Sequence, residues 1–241
     1  MSGMLLEKMI KTSGLGGPDS DKLPLRYRTG HSPEDFKDIV IYNVYDELGS
    51  TGTKIFAGVL SEEYLNEWQN LDRRCQLIYR MLRSDATVKA VFKVCTLPIE
   101  SADFRVRPPA GSTDPMDAEI AKDVEENLFT GMSATWSDTI RQILACLPYG
   151  FSVFELVWGR NEDGKVYLRK LAPRLQRTVS KWRTDKNGGL AGVEQRAYFV
   201  RGDQTYVKTV VIPVEKLVVF SYDQEGSDFE GSSMLRASYK H

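Results

Sequence analysis

The chain of 241 residues has almost no histidine: His31 and His241 are the only two. A Ser-His-Asp or Cys-His nucleophile has nothing to draw on in the body of the chain, and zinc sites of Cys/His type go with it. Cysteine is scarce as well. Cys75, Cys95 and Cys146 are odd in number, far apart and in no CxxC pair, so buried free thiols in a reducing compartment are expected. Neither sign of charge is in excess: 32 Lys and Arg stand against 33 Asp and Glu. A strongly basic nucleic-acid-binding domain departs from that balance, although a local patch is compatible with it. No run approaches the roughly 20 apolar residues of a membrane helix, and the apolar part of "MSGMLLEKMIK" is too short for a signal peptide. An intracellular, soluble protein with no membrane contact is expected. What is present is ordinary globular composition, 41% hydrophobic and 27% charged, which supplies a sizeable core.

Residues 1–33 are rich in Gly, Pro, Ser and charge and read as an extended or poorly ordered arm, followed by an α+β domain over residues 34–241. "GLGG" at 14–17 lacks the Lys-Ser/Thr of a phosphate loop. The helical part of the domain extends to about residue 148. Ser61 is a plausible N-cap for a helix whose apolar face is Tyr64, Trp68, Leu71, Cys75, Ile78 and Leu82. Ser84 and Asp85 offer a fresh cap, so a second helix turns a tight corner and runs to Pro98. "DFRVRP" (103–108) alternates like a strand. "STDPMDAEIAKDVEENLF" reads as a further capped helix, with Ile120, Val124 and Leu128 as its face and Ala121 beside it. Ser137 caps "DTIRQILACL", whose buried stripe is Ile140, Ile143, Leu144 and Leu147.

That last helix should stop near Tyr149. Pro148 disfavours helical geometry before it, and Gly150 supplies the exit. "FSVFELVW" then reads as an inner strand, apolar on both faces, with Phe154 and Trp158 buried. Glu155 lies within it and needs an Arg or Lys from a neighbouring strand. The part from about 150 to 222 is β-rich and mainly antiparallel, with turns at "NEDG" (161–164) and "DKNGG" (185–189). "RGD" at 201–203 reads as a β-turn. A helix begins within residues 231–241. The fold class is α+β, amphipathic helices packed on a mainly antiparallel β half.

No catalytic, metal or cofactor residues are assigned. Carboxylate pairs such as Glu62-Glu63 and Glu125-Glu126 are adjacent in helices and point apart. One stretch is unevenly charged. Between 169 and 186 lie Arg174, Arg177, Lys181, Arg183 and Lys186, with Asp185 the only acid. Arg177, Val179, Lys181 and Arg183 share one parity of a strand over 176–183, a largely cationic face. It suits a phosphate backbone or an acidic partner surface, and equally a solvated hairpin face. An acidic run lies downstream: Asp223, Glu225, Asp228 and Glu230. The two runs on one chain are suited to meet head-to-tail between identical subunits, the arrangement that closes rings.

Four segments resemble tailed-bacteriophage portal proteins, notably the Mu-like branch. In "YRMLRSDATVKAVFKVCTLPIESADFRVRP" the matching residues are Met81, Leu82, Asp85, Val88, Ala90, Leu97, Pro98, Val106 and Pro108. "LPYGFSVFELVW" (147–158) is similar to the family's helix-to-strand segment, and "NEDGKVYLRKL" to its DGK turn. "IPVEKLVVFSYDQEGSDFEGSSMLRASY" matches through Ile212, Pro213, Lys216, Tyr222, Gly231, Leu235, Arg236 and Tyr239. The likeness covers residues 75–241 in pieces.

The resemblance implies a structural subunit, not an enzyme, with a fold like the portal wing. Such subunits form a ring, usually of twelve, at one capsid vertex, and double-stranded DNA passes through it in packaging and ejection. It implies docking of the terminase motor, the major capsid protein and head-completion or tail adaptor proteins. The location implied is the virion's portal vertex, with the host cytoplasm during assembly. Family members usually add long stem helices, a clip and often a crown, so a fragment or a reduced portal is expected. A head or neck adaptor that binds protein rather than DNA is the alternative reading.

Overall fold

The computed structural model describes residues 49–239 apart from 62 and 163. The chain divides between Glu47 and Leu48, and every described residue lies on the C-terminal side. The expected arm over 1–33, the "GLGG" stretch, His31 and His241 fall outside the described residues. No helix among those described is long and apolar enough to cross a membrane.

A two-stranded ribbon opens the domain, β1 (Ile55–Phe56) and β2 (Val59–Leu60). Helices α1 (Asn66–Gln69), α2 (Leu71–Ser84), α3 (Ala86–Glu100), α4 (Pro115–Glu126), α5 (Trp136–Ile143) and α6 (Cys146–Tyr149) come next. Strands β3 (Phe151–Arg160), β4 (Val166–Arg174), β5 (Val179–Thr184), β6 (Leu190–Arg201), β7 (Gln204–Pro213) and β8 (Leu217–Ser221) complete the fold. They form two antiparallel three-stranded sheets, ordered β4-β3-β8 and β5-β6-β7. The chain is α+β, as its sequence pattern requires.

β3 is the inner strand, covered on both faces over its first half. Its odd face, Phe151 and Val153, joins Val179 and Trp182 of β5, Val193 of β6, Ile212 of β7 and Leu217 of β8 in one core between the sheets. Its even face meets α5: the Ser152 hydroxyl donates to the carbonyls of Gln142 (3.2 Å) and Ile143 (3.0 Å). Phe154, on that same face, is buried against Phe220 of β8, ring edge to ring face at 5.9 Å. The burial expected of Trp158 does not occur; it is 54% exposed. β8 pairs with β3 only from Phe151 to Glu155, and a bulge lies between Val157 and Trp158. The far half of β3 therefore leaves the layers that cover its start.

The switch from α6 to β3 turns on Gly150. Its φ of 91° is left-handed, and its N–H closes the helix on the Cys146 carbonyl at 2.7 Å. A Cβ there would sit 2.3 Å from the Glu230 carbonyl oxygen. The Gly150 carbonyl in turn accepts from the Tyr222 N–H at 2.7 Å. Glycine is thus required by conformation and by space together.

A second core gathers Trp68, Ile78 and Leu235, with Met81, Val88, Tyr149 and Tyr239 against it. The segment after Gly231 is a series of turns instead of the expected helix, and it packs on α1 and α2 through Leu235. Several local expectations move. Asn70, not Ser61, caps α2, accepting from the Asp72 and Arg73 N–H groups. Tyr64, upstream of that cap, is 73% exposed. Asp85 caps α3 as expected. Pro98 lies inside α3, in its last turn, and the helix ends two residues later at Glu100. Thr135 caps α5 in place of Ser137. Residues 103–108 form no strand. On α4, Ala121 faces inward while Ile120 and Val124 are exposed. Cys75 is buried and Cys146 half-buried, but Cys95 is exposed on α3.

Phe154→Ala is expected to cost about 3–5 kcal/mol, the range for truncating a buried aromatic, with Trp158→Ala near neutral. Urea denaturation midpoints of the two variants check both at once. Equal losses would mean that the second half of β3 is covered after all.

Candidate interaction surface

The cationic run does not form one face. Residues Gln176–Thr178 make a 3-10 turn, and β5 starts only at Val179. A bulge between Val179 and Lys181 breaks the parity, so Val179 and Trp182 are both buried while Lys181 and Arg183 point outward. Arg174, at the end of β4, is bonded to Glu155 on β3. Lys216 Nζ, in the turn before β8, reaches the other Glu155 oxygen at 3.1 Å. The neighbouring-strand partner expected for Glu155 is therefore Arg174. Burial would raise the Glu155 carboxyl, but the two cations more than reverse this and hold it below the usual carboxylate range. Arg183 bonds Glu194 across β5 and β6, at 2.7 and 3.1 Å. Arg177, Lys181 and Lys186 are exposed and in no ion pair among the described residues. The β1–β2 ribbon lies beside Lys181: the Trp182 N–H donates to the Gly58 carbonyl at 2.8 Å.

The acidic run is divided in the same way. Asp223 and Glu225 are exposed. Asp228 and Glu230 turn inward. Glu230 accepts from Arg74 of α2 at 2.5 Å and from the Trp182 indole N–H at 3.0 Å. Within one chain the acidic run touches the basic stretch only through the neutral Trp182 indole, and the cation Glu230 holds, Arg74, comes from α2. Asp228 accepts from the Glu230 N–H at 3.0 Å. Burial, then the Glu230 carboxylate, pushes its pKa from 3.8 up to about 6.

One pair escaped the sequence. Arg236 bonds both Glu63 oxygens, at 2.6 and 2.9 Å, and lies over the rings of Tyr64 (5.1 Å) and Trp68 (5.7 Å). Burial would raise the Glu63 carboxyl; Arg236 and the Leu65 and Tyr64 N–H groups outweigh it and hold it low. Arg236 lies in one of the portal-like segments, but nothing local marks Glu63, 173 residues away.

A shallow groove of about 280 Å³ lies beside this pair, lined by Phe56, Val59, Leu60, Ser61, Glu63 and Gln69. Glu63 is the one titratable residue among its described lining, and Arg236 is bonded to its carboxylate. No group of three His, Cys, Asp or Glu suited to a metal occurs among the described residues. Burial pushes the Cys75 thiol up to about 12 and raises that of Cys146. Neither is an activated thiolate.

Much apolar surface is open instead. Val91, Val94 and Leu97 are exposed on α3, and Met116, Ile120 and Val124 on α4. Along β6 and β7 every residue from 198 to 209 is exposed, including Tyr198, Phe199, Val200, Tyr206 and Val207. Large open apolar surface of this kind marks sites of macromolecular contact.

Several long-range ion pairs are tied into the fold and much apolar surface is left open. Residues 76–241 match the family described as the portal protein of Mu bacteriophage. The match spans well over half of the chain, and the chain belongs to this family of phage portal proteins.

Two substitutions separate the roles of the inward acids. Glu230→Ala leaves Arg74 nearly buried without its partner and should cost about 3 kcal/mol. Asp228→Asn should stabilise. Between pH 3.8 and about 6 the folded state keeps a proton that the unfolded chain has lost. Asp228 therefore favours folding most at low pH, and that contribution declines as pH rises through 6. With its remaining solvent contact discounted, the gain from Asn is about 1 kcal/mol at pH 7.5, shrinking to nothing near pH 4. Thermal midpoints across that range check the sign; a gain that grew toward low pH would contradict the assignment.

Proposed function

We propose that the chain is a structural subunit of a portal ring at one vertex of a phage capsid, the conduit for double-stranded DNA in packaging and ejection. The ring is a closed head-to-tail oligomer, twelve subunits being the number the family resemblance implies. It serves as the docking platform for the terminase motor, the major capsid protein and head-completion or tail adaptor proteins. The family match over residues 76–241 carries this reading. The charge distribution supports it. A conduit has to let DNA slide, and dense Lys and Arg contacts would hold the phosphates. Here 32 basic residues are balanced by 33 acidic ones, and Arg174 and Arg183 are tied to Glu155 and Glu194. The outward remainder is sparse. Arg177, Lys181 and Lys186 are the exposed cations of that run available to phosphate or to an acidic partner. Asp223 and Glu225 are the acids available to a neighbouring subunit, while Asp228 and Glu230 serve the fold.

The test is native mass spectrometry combined with negative-stain electron microscopy of the purified chain. A closed ring of uniform subunit number is expected. Duplex DNA binding should be weak and steeply reduced by salt. A stable monomer or dimer with high affinity for one phage head protein would replace the ring by the adaptor reading.

A further inference from the structure

The distal half of the β6–β7 hairpin is an arm with no cover. β5 pairs with β6 only as far as Gln195, whereas β6 and β7 continue together to the Arg201↔Gln204 pair. Gly202 and Asp203 form the two-residue tip, with Gly202 in the left-handed region at φ 61°. Beyond Gln195, alternation puts Tyr198, Val200 and Val207 on one face and Phe199 and Tyr206 on the other. Both faces are apolar and both are open; Val200 is 76% exposed. β7 is the edge of its sheet, so its outer backbone edge is open as well. Long apolar edges of this kind are normally blunted or covered. The arm carries Arg196, Arg201 and Lys208 against Asp203 alone.

A surface of opposite character exists on the same chain. Met116, Ile120 and Val124 recur every four residues and form a stripe along α4, with Ile120 52% exposed. Glu119 and Asp123 flank it, Asp123 being ion-paired with Lys165 of the turn before β4 at 2.5 Å, which leaves Glu119 as the flanking acid without an ion pair among the described residues. The whole helix has Asp117, Glu119, Asp123, Glu125 and Glu126 against Lys122 alone. The helix is held firmly. Its C-terminal continuation places Asn127 on the outer edge of β4, where the side-chain amide donates to the Leu168 carbonyl (3.0 Å) and accepts from the Leu168 N–H (2.9 Å). α4 is thus an apolar and acidic ledge, anchored to β4 at its C-terminal end.

Resting on the ring reading above, we infer that the β6–β7 arm of one copy lies across α4 of a second copy. The complement is apolar against apolar, with basic arm charges beside acidic ledge charges. The arm and the ledge are different patches of one chain, so the contact is heterologous. Such contacts propagate head-to-tail and close into a ring when the rotation allows. The arm accordingly contributes to subunit contact, not to the grip on DNA.

The full chain carrying Cys95→Ser, which removes the exposed native thiol, is the starting protein. With Val200→Cys and Ile120→Cys together, mild oxidation should give a ladder of disulfide-linked oligomers on a denaturing gel. Neither single variant should give more than dimers. Independently, Arg201→Glu should weaken self-association at least about tenfold, the scale of one close charge pair, with an unchanged thermal midpoint because the site is exposed. Adding Glu119→Arg to that variant should restore association. Wild-type rings that Arg201→Glu leaves intact, with no ladder from the cysteine pair, would overturn this contact and leave the ring reading standing. Arm variants that assemble normally but lose salt-sensitive duplex binding would reassign the arm to nucleic acid. A wild-type chain that stays monomeric at every concentration removes both readings.

Discussion

The fold depends on one carboxylate. Glu230 ties α2 to the β5 strand by holding Arg74 and the Trp182 indole at once. Its own backbone carbonyl lies where a Cβ on Gly150 would have to go. The point where the helices hand over to the sheet, the core tryptophan of the second sheet and the first long helix therefore share one residue. Its position is fixed from behind, since Asp228 accepts its N–H and Gly231 donates to the Asp228 carbonyl. The buried Asp228 carboxyl is an expense of this arrangement, an acid held partly dry to shape a turn. Removing the Glu230 carboxylate leaves Arg74 and the Trp182 indole stranded near the core, which costs far more than either bond itself contributes.

β3 gains its place from the same junction. Leaving Gly150, it has a sheet on one face and α5 on the other, and Glu155 arrives where those covers thin out. There the strand needs charge compensation, and it receives it from both sides, Arg174 from β4 and Lys216 from the turn before β8. One carboxylate so links all three parts of that sheet. Past it the strand has only β4 beside it, which is why Trp158 faces solvent.

The helical first half, the antiparallel β half, the helix stop before Gly150 and the need of Glu155 for a cation were legible in the sequence, because each stems from local chemistry; the β1–β2 ribbon and the break between α5 and α6 were not. Periodicity told which residues could share a face but not whether that face would be covered. Ile120 and Val124 have the spacing of a core stripe, yet Ala121 takes the inward position. Parity failed at Val179 for another reason: a bulge adds a residue and flips every later position of the strand to the opposite face. Among the candidate contacts, Arg177, Lys181, Lys186, Asp223 and Glu225 lie outward. Arg174, Arg183, Asp228 and Glu230 are tied into the fold, and no local signal distinguishes a charge with a partner many residues away from one without. Glu63 and Arg236 show the same limit from the other side.

Satisfied groups and open surface divide along a consistent line. Long-range ion pairs sit where elements join, at Arg74 and Glu230, Glu155 and Arg174, and Glu63 and Arg236. Apolar surface is left open where elements project, on α3, α4 and the β6–β7 arm. A subunit that lived alone would do better with the reverse, because exposed charge keeps proteins apart and exposed Val and Tyr bring them together. With those charges tied into the fold, the proposed association rests on shape and apolar area, the arm cations and ledge acids giving it direction. Such contacts weaken little in salt, unlike contacts to phosphate. In the proposed ring that separation has a reason, since contacts that hold neighbours together would not then also hold the DNA.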